Sequence, residues 1–277
     1  MNEVFRFFDQ INSPGKLLAY LRSLQVSEVS NTGVSGRREL NESVSAILRM
    51  VLRKQPSSYA FHPQLRPTLL KFILEEWRDP ETGFWGAWFR TKNGELHKTD
   101  DLSMTFHIIS YLNGDVPDLD KVMSTTLAMK KNAYPYGWLT DGTVYENHHN
   151  YDVVKLLRLA WSHSTETQKG EARGEIEKML KWCLSESVGS DGSFVRSKSD
   201  ESIEDSFYFG VSFLNEVGYF DPARRFWTGQ EFEGAEKLLQ TISQSACTKL
   251  AQGKSGPTLR NTLKKLNTVC KPYPTAR

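Results

Sequence analysis

The segment Asn147-His148-His149-Asn150-Tyr151-Asp152 gathers amides, imidazoles, a phenol and a carboxylate directly ahead of the apolar run Val153 to Trp161. Imidazole titrates near neutral pH, so His148 or His149 could give or take a proton, with the Tyr151 phenol as partner acid or base. Asn147 and Asp152 supply the donors and acceptors that would hold a polar ligand. A histidine here can equally be a solvated loop residue or a helix cap, and that alternative stands beside the catalytic one.

Three carboxylates widen the candidate site. Asp101, Asp152 and Asp205 each stand ahead of an apolar helical run, at steps of 51 and 53 residues. Paired acids at one cavity mouth could perform the acid and base work of glycoside cleavage. Each could instead complement a helix dipole, and Ser202-Ile203-Glu204-Asp205 has the form of a capping box. Asp101 stands out because its helix also carries His107, whose plainer role is that of a core histidine. Lys155 and Arg158 lie three apart on a helix otherwise built of Val, Leu, Ala and Trp, so they share a face. Pointing inward they would bind an anion; otherwise they snorkel to a wet rim. The aromatics Trp85, Trp88, Trp138, Tyr134, Tyr136, Tyr145 and Tyr208 could stack on sugar rings, stabilise carbocations, or simply fill a core.

These residues must be positioned by a repeated element. Leu17, Leu18, Leu21 and Leu24, then Leu40 to Leu52, follow helical spacing around a Ser, Asn, Thr and Gly-bearing loop from Ser27 to Arg37. The same order of helix, glycine turn and helix returns three times. Leu65 to Arg78, Leu119 to Lys131 and Gly170 to Val188 precede turns at Gly83, Gly142 and Gly192. Leu102 to Leu112, Val153 to Trp161 and Ser206 to Val217 follow them. A fifth unit runs from Gln230 to Asn267. Repeats of two helices cannot bury their apolar faces alone, so they must stack. The post-turn helices are apolar nearly all round and the pre-turn helices amphipathic, which predicts an inner and an outer ring. The expected fold is therefore all-α, an α/α toroid of about five to six helical hairpins. It would be one domain over residues 1–277, with N-terminal helices in 1–30 and basic helices in 237–277.

The turns Asp79 to Trp88, with Gly83-Phe84-Trp85-Gly86, and Ser190-Asp191-Gly192-Ser193-Phe194 resemble the Asp-Gly-Ser-Trp or Asp-Gly-Ser-Phe turns of terpenoid cyclase and protein prenyltransferase toroids. Neither the Asp-x-Asp-Asp motif of squalene cyclases nor the zinc ligands of prenyltransferases are present, so those activities are not what the resemblance implies here. Asn147 to Tyr151 is also similar to the Asn-Asn-His-x-Tyr-Trp segment of alginate-lyase-type toroid enzymes. That likeness puts His149 on the histidine that takes a proton and Asn147 on the first asparagine, which neutralises a uronate carboxylate. His148 and Asp152 depart from it, standing where the second asparagine and the tryptophan would be.

Composition bounds the rest. The 277 residues are 39% hydrophobic and 25% charged with a net charge of +2, which argues for no nucleic-acid partner. No segment has the run of ~20 apolar residues needed to span a membrane. Cys183, Cys247 and Cys270 lack metal-type spacing and read as reduced thiols of a cytoplasmic protein, with no metal and no cofactor. The leading expectation is a carbohydrate-active enzyme, a polysaccharide lyase or glycoside hydrolase acting on an anionic oligosaccharide. There His149, His148, Tyr151 and Asp101 would do chemistry. Asn147, Arg158, Lys155, Asp152, Asp205, Trp85, Trp138, Tyr208 and His107 would bind. An isoprenoid cyclase-like or isoprenoid-binding toroid and a non-catalytic helical scaffold are the alternatives, and the oligomeric state is open.

Overall fold

Residues 3–53, 59–197, 200–252 and 257–266 are described by the computed structural model, and among them twelve α-helices and one small sheet make up most of the regular structure. The chain divides into two compact units, Met1–Met129 with Pro135–Gly137, and Lys130–Tyr134 with Trp138–Arg277.

The first unit holds α1 (Glu3–Ile11), α2 (Pro14–Gln25), α3 (Val29–Thr32), α4 (Arg37–Leu48), α5 (Leu65–Lys71), α6 (Leu102–Tyr111) and α7 (Leu119–Ala128). Ser13 opens α2 by accepting the Lys16 N–H, with Pro14 in the first turn where its missing N–H costs nothing. Helices α4 and α6 lie side by side and run the same way. Arg37 at the head of α4 pairs with Asp101 at the head of α6, and one turn on Asn41 donates to Ser103 at 3.1 Å. Where helical periodicity gave no warning, a sheet forms. β2 (Trp88–Arg90) and β3 (Leu96–Lys98) make an antiparallel pair, and β1 (Val26–Ser27), at the start of the expected loop, adds to β2 in parallel with Val26 opposite Trp88.

The second unit holds α8 (Asn147–Ala160), α9 (Glu166–Trp182), α10 (Ile203–Glu216), α11 (Ala235–Ala251) and α12 (Pro257–Lys265). His148 stacks on Phe209 and Lys155 reaches Glu216, two contacts with the same 61-residue offset, so α8 and α10 are parallel neighbours. Lys265 reaches Ser212 while Leu259 sits with Ile203 and Phe207, so α12 runs parallel to α10 as well. Helix α9 returns in the opposite sense, because Asn147 at the start of α8 donates to Ser187 just past the end of α9. Val153, Val154, Leu156, Leu157, Phe207, Val211, Phe213 and Leu214 are fully buried along α8 and α10. Each such side chain contributes about 1.5–3 kcal/mol of burial free energy. Parallel post-turn helices with an antiparallel pre-turn helix are what the repeat requires within this unit.

The repeat is visible in backbone detail too. Gly83, Gly142 and Gly192 all adopt φ near +75°, at 74, 74 and 76°. Two pre-turn helices end alike, in π-helical turns Phe72–Trp77 and Cys183–Ser187. After them the Arg78 and Val188 N–H groups donate back to Ile73 and Cys183, and Phe84 and Phe194 are buried behind the turns. The Asp141-Gly142 pair has positive φ at both residues, with the Thr143 N–H donating to the Thr140 carbonyl, the signature of a type I′ turn.

Two expectations need correction. Asp152 does not open a helix: α8 begins five residues earlier at Asn147, and Asp152 is buried in its second turn. The low helix propensity of Asn and His is overridden by burial of Asn147, His149 and Asn150. Of the cysteines, Cys183 is a buried free thiol but Cys247 is disulfide-bonded, since an odd count of three still allows one pair. Cys270, Asn267 and the rest of the basic tail lie outside the described residues. Among the described residues no helix is long and apolar enough to cross a membrane.

Candidate functional site

A cleft of about 290 Å³ opens in the second unit against the N-terminus of α8. One wall is the turn from Thr140 to Glu146, held by the Thr140 N–H donating to the Val144 carbonyl at 2.7 Å. The other is built from Trp182, Glu186 and Ser187 at the end of α9 and from Val195, Arg196 and Ser197, tied down by the Val195 N–H donating to the Ser187 carbonyl. Tyr145 and Trp182 put two aromatic rings on the cleft, 6.2 Å apart between centroids. Val144 and Val195 leave apolar edges half or more exposed, at 51% and 62%.

Glu146 is the chemical centre of this cleft. It precedes α8 in extended conformation, accepts the Asn150 N–H at its carbonyl, and is 4% exposed. Its carboxylate lies 3.9 Å from Nε2 of His149. The other ring nitrogen, Nδ1, is 3.5 Å from the Thr140 hydroxyl, and the imidazole stacks on Tyr134 at 3.8 Å and 7°. Burial holds His149 down to about 4, against the pull of the Glu146 charge, so the ring is neutral at physiological pH. A hydroxyl, a neutral imidazole and a carboxylate thus form a chain whose two ends line the cleft. Asn147 fixes the floor by donating to Ser187 at 2.7 Å, while its own Oδ1 and both amide atoms of fully buried Asn150 find no protein partner among the described residues. Leaving such groups unmatched costs about 1–3 kcal/mol each, which marks this end of α8 as spare hydrogen-bonding capacity.

The remaining sequence candidates fall into separate groups. His148 faces away from Glu146, stacked on Phe209 at 4.1 Å with Nε2 3.9 Å from Asp152. Asp152 accepts the Tyr134 hydroxyl at 2.9 Å, and so braces the tyrosine on which His149 lies. Trp138 is buried directly after the Pro135–Gly137 segment. Tyr151, Tyr208, Lys155 and Arg158 gather further along α8 and α10, around Glu216. Lys155 is 3.2 Å and Arg158 2.8 Å from its carboxylate. Arg158 also donates to the Glu216 and Arg224 carbonyls. Both cations therefore answer a buried carboxylate of the fold. Burial pushes the Tyr151 phenol well above its ordinary range, so it stays a proton donor.

Asp205 caps α10, its carboxylate accepting the Ser202 N–H while Ser202 accepts the Asp205 N–H, the capping box its spacing announced. In the first unit Asp101 is fully buried, accepts the Met104 N–H as the N-cap of α6 and takes a two-pronged pair from Arg37. Burial raises the Asp101 carboxyl and Arg37 opposes that rise. Its geometry is that of a helix anchor. His107 is pulled down to about 4 by burial and by the Arg37 charge, and Trp85 is a core residue donating to the Ile73 carbonyl at 2.8 Å.

Sequence reasoning missed Glu146, Thr140, Trp182, Glu186, Ser187 and Arg196. Glu146 directly precedes the polar segment and Thr140 opens the turn before it, so both were open to notice; the others come to the cleft only through the return of α9 and its turn. Three acids of the cleft, Asp141, Glu146 and Glu186, face one guanidinium, Arg196, which donates to the carbonyls of Asp200 and Glu201. No protein-family model, no curated protein and no solved structure matches this chain.

Proposed function

We propose that the helical hairpins are those of an α/α toroid, and that the cleft at the start of α8 binds a neutral oligosaccharide and hydrolyses a glycosidic bond. One observation carries the reading: a buried glutamate in contact with a neutral imidazole lines a cleft that also presents two aromatic rings and a second glutamate. Sugar rings stack by their apolar faces on Tyr145 and Trp182. Glu146 donates its proton to the leaving oxygen and recovers one through His149, and Glu186 on the opposite wall activates the attacking water. His149 can relay a proton in this way because its ring is not already charged.

The ligand class follows from charge. Even with Glu146 as the protonated acid, Asp141 and Glu186 outnumber Arg196 in the cleft, which disfavours a polyuronate, and the cations expected to hold a substrate carboxylate are bound to Glu216 and do not line it. A neutral glycan therefore fits better than the anionic one the sequence suggested. Calorimetric titration with neutral gluco-, xylo-, manno- and chito-oligosaccharides beside an oligouronate tests the reading. At least one neutral ligand should bind, and Trp182→Ala should weaken it by about tenfold, the loss of one stacking face. Preference for the oligouronate would overturn the neutral-ligand assignment, and binding of none would favour the helical scaffold.

A further inference from the structure

Away from the cleft, at the C-terminal ends of the parallel helices α8, α10 and α12, four cations meet one carboxylate. Glu216 closes α10 at 4% exposure. Around it stand Lys155 at 3.2 Å, Arg158 at 2.8 Å and Arg224 at 3.7 Å. Lys265, the last residue of α12, completes the set, with its ammonium 3.8 Å from the ring centroid of Tyr208 and donating to Ser212 at 2.6 Å. Among the described residues Glu216 is the sole carboxylate that pairs with any of the four.

Cations are welcome at helix C-termini, where they offset the exposed carbonyls. That accounts for Arg158, which donates to the carbonyls of Glu216 and Arg224. It does not account for the others. Lys155 and Arg224 are spent on a carboxylate already matched by Arg158, and Lys265 has a hydroxyl and an aromatic face in place of a counter-ion. Like charges brought together repel, and a fold that needed only to neutralise Glu216 would use one of them. The side chains of Lys155, Arg158 and Arg224 retain 25%, 22% and 48% exposure, so a ligand can reach them.

We propose that this cluster is a binding site for a phosphate-type oxoanion carried by a small molecule. A tetrahedral dianion offers acceptor oxygens in several directions, which suits donors arriving from α8, from α12 and from the segment after α10, and it offsets the surplus charge that Glu216 leaves. Tyr208 and, at 5.7 Å from the Lys265 ammonium, Tyr151 give an organic substituent an aromatic surface. Burial draws the Lys265 ammonium down to about 8 against the pull of Glu216, with Lys155 and Arg224 adding to the fall. This site is independent of the glycan reading, sharing no side chain with the cleft.

The test is thermal melting of the full chain with inorganic pyrophosphate at constant ionic strength, chloride serving as the control. Pyrophosphate should raise the Tm where chloride does not, and Lys265→Gln and Arg224→Gln should each weaken binding by about tenfold, the loss of one charge-assisted hydrogen bond. Lys265→Gln should change the ligand-free Tm little, since Lys265 has no ion pair to lose and the amide can still donate to Ser212. Glu216→Gln, if folded by circular dichroism, should bind more tightly. No shift beyond chloride, or an equal shift in Lys265→Gln and Arg224→Gln, would overturn the proposal. Flotation with vesicles of anionic phospholipid that pyrophosphate fails to displace would overturn the small-molecule source.

Discussion

The carboxylate of Glu146 and the imidazole of His149 stand 3.9 Å apart, three residues from one another across the first turn of α8, and both are almost wholly removed from solvent. The pair sets up a test in acid. His149 and, in the first unit, His107 are each drawn from 6.5 to about 4. Between those pH values the unfolded chain binds protons that the folded chain refuses, so stability is lost as pH falls from 6.5 toward 4. Each histidine can contribute a slope of up to about 1.4 kcal/mol per pH unit. Urea denaturation across this range should show the loss, and His149→Gln should reduce its slope. Imidazole resonances of His107 and His149 that titrate near 6.5 would contradict it.

Asp101 and Arg37 make a different kind of prediction. The carboxylate is fully buried, so Arg37→Ala leaves a charge with its N-cap hydrogen bond and no counter-ion. Breaking such a pair costs about 3–5 kcal/mol. Chemical denaturation should show a loss of that size with glycan binding by the folded fraction unchanged. A stable Arg37→Ala protein that no longer binds glycan would return Asp101 to the functional site.

The turn glycines differ in what surrounds them. A Cβ on Gly192 would lie 2.5 Å from the Thr241 backbone in α11, whereas one on Gly142 meets nothing closer than 3.8 Å, though φ is positive at both. Gly142→Ala should cost about 1–2 kcal/mol, the left-handed backbone alone. Gly192→Ala should cost roughly 1–3 kcal/mol more, because α11 must shift. Equal melting temperatures for the two variants would show that the turn does not pack on α11.

What was legible in the chain was local. Glycines that must take positive φ at Gly83, Gly142 and Gly192, the Ser202 to Asp205 capping box and the helical spacing of Val153 to Trp161 each depend on neighbours in sequence. The start of α8 was misjudged because Asp152 has the type of a helix opener, while the burial that makes helix of Asn147 to Asn150 comes from distant segments. Lys155 and Arg158 were recognised as an unusual pair, but their partner Glu216 lies about sixty residues on and only the parallel packing of α8 and α10 brings it near. The cleft was hidden for the same reason: Ser187 meets Asn147 and Trp182 meets Tyr145 through the return of α9, contacts no spacing rule encodes. Two-residue and three-residue strands such as β1 and β2 are too short to show alternation.

The assignment of Glu146 as the proton donor is tested most directly by Glu146→Gln, which keeps the size and shape of the side chain and removes its ability to give up a proton. On whichever neutral oligosaccharide the wild-type protein binds, release of reducing ends should fall by about 10²-fold or more, with the dissociation constant for the intact sugar within about twofold of wild type. Turnover equal to wild type in Glu146→Gln, with the sugar still bound in the cleft, would contradict it.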